Sequence, residues 1–141
     1  MAKVFLSLGS NLGNKEQNLM HAIASIGKDI GKVQKISGFY QNKAQGFTSD
    51  NLFLNTAIEV LTNLQPFELL EKTEAIECEM GRKTKTSTSY SDRLIDIDIL
   101  LYEDVTVNTQ TLIIPHPRML ERDFVLIPLR EIAPELAIFN T

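Results

Sequence analysis

The chain switches between two hydrophobic periods. In residues 3–8, KVFLSL, Val4, Leu6 and Leu8 alternate with Lys3, Phe5 and Ser7, which is the period of two that a strand requires. GSNLGN follows and reads as a turn. Leu19, Ile23, Ile26 and Ile30 then recur at spacings of 4, 3 and 4, a helical stripe over roughly residues 15–28. Gly31 is its stop, and His21, beside the stripe, reads as structural. Residues 32–41, KVQKISGFYQ, return to strand character, with a slip at Ser37–Gly38 that marks a bulge. Residues 42–51 are polar and turn-rich, a loop long enough to suspect function. FLNTAIEVLT is a third strand. Pro66 opens a second helix whose stripe is Leu69, Thr73, Ile76 and Met80, and Gly81 closes it. RKTKTSTSYSDR, residues 82–93, offers a core nothing except Tyr90. The strand RLIDIDIL comes next, then an irregular stretch through PHPR. FVLIPLREIAPEL ends the pattern as a short helical segment plus a turn.

The resulting β-α-β-β-α-β order predicts an α+β fold with a ferredoxin-like core. Its antiparallel sheet carries both helices on one face and leaves the other for a site. No repeat or interdomain linker interrupts it, so residues 1–141 are expected to form a single domain.

RLIDIDIL raises a chemical question. Ile95, Ile97, Ile99 and Leu101 are expected to face the core, while Leu94, Asp96, Asp98 and Leu100 share the other face. Asp is depleted in strands, so two on one face need a reason. One reading is a solvated or lysine-paired face. The other is a magnesium site, since this hard ion is often held by one or two carboxylates plus substrate phosphates. Arg82 and Arg93 bracket a loop that also carries Lys83 and Lys85. It is either a solvated surface loop or a lid that closes over an anionic ligand.

Leu70, Glu74 and Glu77 follow at i, i+4 and i+7 beside the second helix's stripe. The two acids form either a solvated face or a group that orients lid arginines or a ligand. Phe53 and Asn55 share a strand face and suit a flat heterocycle, one by stacking and the other by reading donors and acceptors. Core and edge positions are the competing reading. His116 sits between two prolines, and Arg118 and Arg122 stand one turn apart if 118–122 is helical.

Composition narrows the classes. A net charge of −4 argues against a broad nucleic-acid surface. A single cysteine, Cys78, excludes an internal disulfide framework. No apolar run is long enough for a membrane span, and the N-terminus lacks a secretory core, so a cytoplasmic location is expected. Walker A, nucleophile-elbow and kinase signatures are all missing. What is left is positioning and charge neutralisation, the chemistry of phosphoryl-type transfer.

Taken together, LGSNLGN, FLN after the Gly46 loop, E-x-x-x-GR, R-x-x-D-I-D-I-L and PHPRMLERDFVLIPLREIAPEL resemble the 6-hydroxymethyl-7,8-dihydropterin pyrophosphokinases of folate biosynthesis. The resemblance implies transfer of the β,γ-diphosphate of ATP to the pterin hydroxymethyl oxygen, giving AMP, with two Mg²⁺ ions. It implies Asp96 and Asp98 as metal ligands, with Arg82 and Arg93 meeting the phosphates as catalytic residues. It implies Leu70, Glu74, Glu77, Ile99, His116 and Arg122 at the ATP site. Ala44, Gln45, Gly46, Phe53, Asn55 and Phe124 are implied at the pterin site, with the two phenyl rings sandwiching the pterin. Residues 82–93 are implied as a long mobile catalytic loop. ATP and the pterin alcohol are the expected small-molecule partners. Neither nucleic acid nor membrane is expected as a partner. A monomer is expected, its product passing to dihydropteroate synthase.

Overall fold

The computed structural model describes residues 1–42, 52–81 and 94–140. The expectations placed on Ala44, Gln45, Gly46, Lys83, Lys85, Tyr90, Arg82 and Arg93, and on residues 43–51 and 82–93 as loops, fall outside these residues; Asn42, expected at the start of the first loop, is instead the last residue of a strand.

Strand β1 spans Ala2–Ser10 and helix α1 spans Lys15–Asp29. Asn14 begins the helix, its side chain accepting the Gln17 N–H at 3.1 Å. Leu19, Ala22 and Ile26 are the buried positions of α1; His21 is exposed rather than packed beside them. The stretch expected as one strand over 32–41 is two, β2 (Gly31–Ile36) and β3 (Tyr40–Asn42). The register slips between Val33 and Lys35, earlier than expected, and the strand breaks after Ile36. Ser37 turns inward at the break, its hydroxyl accepting the Ala57 N–H at 2.9 Å. β4 is Phe53–Thr62 and α2 is Pro66–Glu79. At the start of α2 the Gln65 N–H donates to Glu68 Oε1 at 2.8 Å. At its end Gly81 takes φ +113°, a conformation closed to most side chains.

β5 (Asp96–Tyr102) completes the sheet in the order β2-β4-β1-β5, with β3 also on β4 and every pairing antiparallel. β4 thus separates β1 from β2, and β1 separates β4 from β5. That interleaving is the split β-α-β order. Two features stand apart from the six-element core. One is a small hairpin, β6 (Val107–Asn108) with β7 (Ile113–Ile114), inside the stretch read as irregular. The other is helix α3 (Asp123–Ile132), where the short helical segment was expected.

The two sheet faces differ. Val4, Leu6, Leu8, Ile58, Val60, Ile95, Ile97 and Ile99 pack with Leu19, Ile26, Leu69 and Ile76 of α1 and α2. The opposite face is not left bare. Phe5, Ala57 and Leu100 are covered by Val125, Leu129 and Ile132 of α3. These α3 residues fall on one helical stripe, so the helix needs an apolar seat and half of this face provides it.

β5 changes phase midway. Phe5 pairs with Leu101 but Leu6 pairs with Ile99, which leaves Leu100 as an extra residue. Leu101, expected on the core side with Ile99, therefore packs under α3, and Tyr102 takes the place on the α1–α2 side.

Candidate active site

The strand period brings the polar residues together on the α3 side of the sheet, beyond the part that α3 covers. Phe53 and Asn55 alternate with Leu54, which faces α1 and α2. Asp96 and Asp98 are half-buried on the face they share with Leu100. Register fixes the crosswise order. Gly9 lies between Asn55 on β4 and Asp96 on β5; Ser7 lies between Ala57 and Asp98. With strands about 4.8 Å apart, the backbone rung from Asp96 to Asn55 spans roughly 10 Å. Gly9 keeps that rung shallow. A Cβ there would stand 2.8 Å from Asn55 Oδ1 and 3.4 Å from Phe53 Cδ1.

On the far side of the acids, along the outer edge of β5, lies a cleft. Leu70, Ile97, Asp98, Ile99 and His116 line it, and Gln110–Ile113 with Pro117 close it. Of the residues expected at the ATP site, Leu70, Ile99 and His116 meet here beside Asp98. His116 is hung in place by its own backbone, whose N–H donates to the carbonyl of Leu100 at 3.0 Å. Its Nδ1 accepts the Arg118 N–H at 3.2 Å, which puts the proton of the neutral ring on Nε2.

Gln110, Thr111, Leu112, Ile113 and Pro117 were not singled out from the sequence. Their hairpin strands are two residues each, too short to show a period. Its turn is built locally: the Thr109 N–H donates to the Leu112 carbonyl at 3.0 Å, and the Leu112 N–H to Thr109 Oγ1 at 3.1 Å.

Glu74 and Glu77 do not form a solvated pair. Glu74 is half-buried, and Glu77 is only 1% exposed. Glu77 Oε2 accepts the N–H of Ile97 at 2.8 Å, so it clamps the peptide between the two aspartates. Neither residue is among those lining the cleft. Arg118 and Arg122 are not stacked on a helix. Residues Met119–Glu121 form a 3-10 turn, Arg118 is exposed and pairs with Glu121 at 3.7 Å, and Arg122 stands at the start of α3. The Arg122 guanidinium lies 5.5 Å from the centre of the Phe124 ring, and its Nε has no hydrogen-bond partner among the described residues. Phe124 is half-buried against the α3-side core, on the same side of the sheet as Phe53.

The donor set suits magnesium. Asp96 and Asp98 are hard oxygen donors two residues apart on one strand face. Among the described residues no group of three or more His, Cys, Asp or Glu forms a complete cage. A pair that leaves most positions to water and phosphate is what this ion prefers.

An α+β chain with paired acids beside a cleft has the outline of a phosphoryl-transfer enzyme. A family model described as 7,8-dihydro-6-hydroxymethylpterin-pyrophosphokinase (HPPK) matches residues 5–134. The 2-amino-4-hydroxy-6-hydroxymethyldihydropteridine pyrophosphokinase of Bacillus subtilis is 42% identical over 133 residues, 94% of this chain and 78% of the relative. The enzyme of that name from Porphyromonas gingivalis is 43% identical over 138 residues, covering 96% and 94%. Among solved structures, Plasmodium falciparum HPPK-DHPS with pteroate superposes with a TM-score of 0.72 at 16% identity, over 92% of this chain and 38% of that one. This likeness bears on the fold. The chain belongs to the HPPK family, and it is an ATP-dependent diphosphotransferase.

Proposed function

We propose that this chain carries the diphosphate of ATP to the hydroxymethyl group of 6-hydroxymethyl-7,8-dihydropterin across the Asp96–Asp98 pair, with nucleotide and pterin on opposite sides of it. Transfer to this pterin in folate synthesis is the activity of the family. The observation that carries the residue assignment is the crosswise order: cleft, then Asp96 and Asp98, then Gly9, then Phe53 and Asn55. A donor and an acceptor substrate would meet over the acids.

In this reading the β5-edge cleft takes ATP, with Leu70 and Ile99 against the base and His116 reaching a phosphate. Glu74, Glu77 and Arg122 belong to the same half, Glu77 by fixing the backbone between the acids. Phe53 and Phe124 sandwich the pterin, Asn55 reads its edge, and Ala44, Gln45 and Gly46 wall the pocket. Asp96 and Asp98 hold two magnesium ions, and Arg82 and Arg93 grip the phosphates. When bound, magnesium neutralises charge on the transferring group. The chain's own work is to align the pterin oxygen with the β-phosphorus. The new O–P bond forms as the β-phosphorus separates from the oxygen bridging to the α-phosphorus. AMP leaves and the hydroxyl gives up its proton. No strong base is required of the protein.

The same reading makes residues 1–141 one catalytic domain, a cytoplasmic monomer whose product is handed to dihydropteroate synthase. No described helix is long and apolar enough to cross a membrane. The test is AMP release from ATP and Mg²⁺. It should depend on the pterin alcohol and disappear in Asp96→Ala and Asp98→Ala with the fold retained. Release that ignores the pterin, or survives both substitutions, would sink the assignment.

A further inference from the structure

We propose that Leu94 is a positioning residue for Asp96: seated between Gly13 and Gly81, it fixes the chain where β5 begins, so that the carboxylate meets the metal in one place. The inference rests on the reading of Asp96 as a magnesium ligand and adds to it an apolar residue outside the donor set.

A metal held by only two carboxylates depends on the backbone that carries them. After Asp96 that backbone is held by Glu77, which accepts the Ile97 N–H at 2.8 Å. Before Asp96 it is held by packing. Leu94, two residues earlier, lies where the β1–α1 turn, the end of α2 and the start of β5 meet. Its Cδ1 takes the space that a Cβ on Gly81 would claim, 2.9 Å away. Its Cδ2 would stand 3.7 Å from a Cβ on Gly13. Both glycines have positive φ, +113° and +65°, a region that L side chains rarely adopt. The backbone path therefore leaves a notch, and a branched aliphatic side chain fills it.

The walls of the notch are fixed. The turn that carries Gly13 is tied to α1, since Asn18 Nδ2 donates to the Leu12 carbonyl at 2.8 Å and to Ser10 Oγ at 3.2 Å. The Gly81 N–H donates to the Cys78 carbonyl at 3.1 Å. Gly81 comes four residues after Glu77, so the end of α2 supplies both grips on β5. Leu94 is itself 38% exposed, whereas Leu8 and Leu100 are fully buried. Its contacts order the chain more than they add to the core.

The test is titration of Mn²⁺, a spectroscopic stand-in for Mg²⁺, followed by electron paramagnetic resonance with a non-hydrolysable ATP analogue present. AMP formation is measured in parallel against Mg²⁺ concentration. Leu94→Ala should weaken Mn²⁺ binding about tenfold, the low end of what losing support around a metal ligand costs. The half-saturating Mg²⁺ in turnover should rise by a similar factor, with the unfolding midpoint near the parent's. Leu94→Met, which conserves volume, should recover most of both losses. In an Asp96→Asn background, Leu94→Ala should add nothing further. Parental Mn²⁺ binding in Leu94→Ala beside weakened binding in Asp96→Asn would overturn the positioning role, as would independent losses in the double variant. If Asp96→Asn binds Mn²⁺ as the parent does, the metal reading falls first and takes this inference with it.

Discussion

The two faces of one sheet divide the labour. Toward α1 and α2, strands β1, β4 and β5 present a mainly aliphatic layer: Val4, Leu6, Leu8, Ile58, Val60, Ile97 and Ile99. Toward α3 the same strands present Phe5, Ala57 and Leu100 at one end, and Ser7, Gly9, Asn55, Asp96 and Asp98 at the other. Neighbouring residues in one strand therefore answer to different demands. Ile97 is chosen for volume, and Asp96 and Asp98 for charge. The polar end persists because the aliphatic face already supplies the burial that keeps the strands together.

That division can be broken from either side. The largest effect is expected from Asp96→Ala, which should cost on the order of 10³-fold in AMP formation, as loss of a charge-organising group at a reacting centre does. Its circular dichroism and unfolding midpoint should stay near the parent's. Near-parental turnover would mean the polar face is not the reacting one. Leu8→Ala, pointing the other way from the adjacent β1–β5 row, should do the reverse. A fully buried leucine truncated to alanine costs about 2–5 kcal/mol, read in denaturant unfolding, while the molecules still folded keep their activity.

Glu77→Ala joins the two sides. It strips the acceptor from the Ile97 N–H, so about 1–3 kcal/mol of stability should go together with part of the turnover. A loss in only one of the two measurements would show that the clamp serves only one face.

The smallest effect concerns pH. Burial, and then the charges of Glu103 and Glu68, push the Tyr102 phenol above its ordinary 10.0, and its hydroxyl donates to the Leu64 carbonyl at 2.6 Å. The folded state therefore favours the neutral phenol. That contribution is complete below pH 10 and is lost as pH climbs toward the raised value. Thermal scans from pH 9 to 11 should show a decline that Tyr102→Phe reduces, by under about 1 kcal/mol. Equal declines in both proteins would remove Tyr102 as its source.

Long-period features were legible in the sequence. β1, α1 and α2 declared themselves through alternation, a 3.6-residue stripe, Pro66 and Gly81. Period two alone placed Asp96 with Asp98 and Phe53 with Asn55. What escaped was decided by partners distant in the chain. The extra residue at Leu100 shows only in the pairing with Phe5 and Leu6, so Leu101 was assigned to the wrong side. The break at Ser37 depends on Thr56 and Ala57, whose polar groups receive it. Glu77 looked like a surface acid because nothing local reveals that an edge-strand amide faces it. The β6–β7 hairpin that closes the cleft has strands shorter than any period.

The outer margin of β5 has a consequence beyond catalysis. Among the described residues no strand lies beside this margin in the main sheet, and bare margins invite strands of other molecules to add on. Here the Ile97 N–H is taken by Glu77 and the Leu100 carbonyl by the His116 N–H. The contacts that hold the cleft in shape also plug the rungs where a foreign chain would dock, so loosening them to retune the enzyme would invite aggregation.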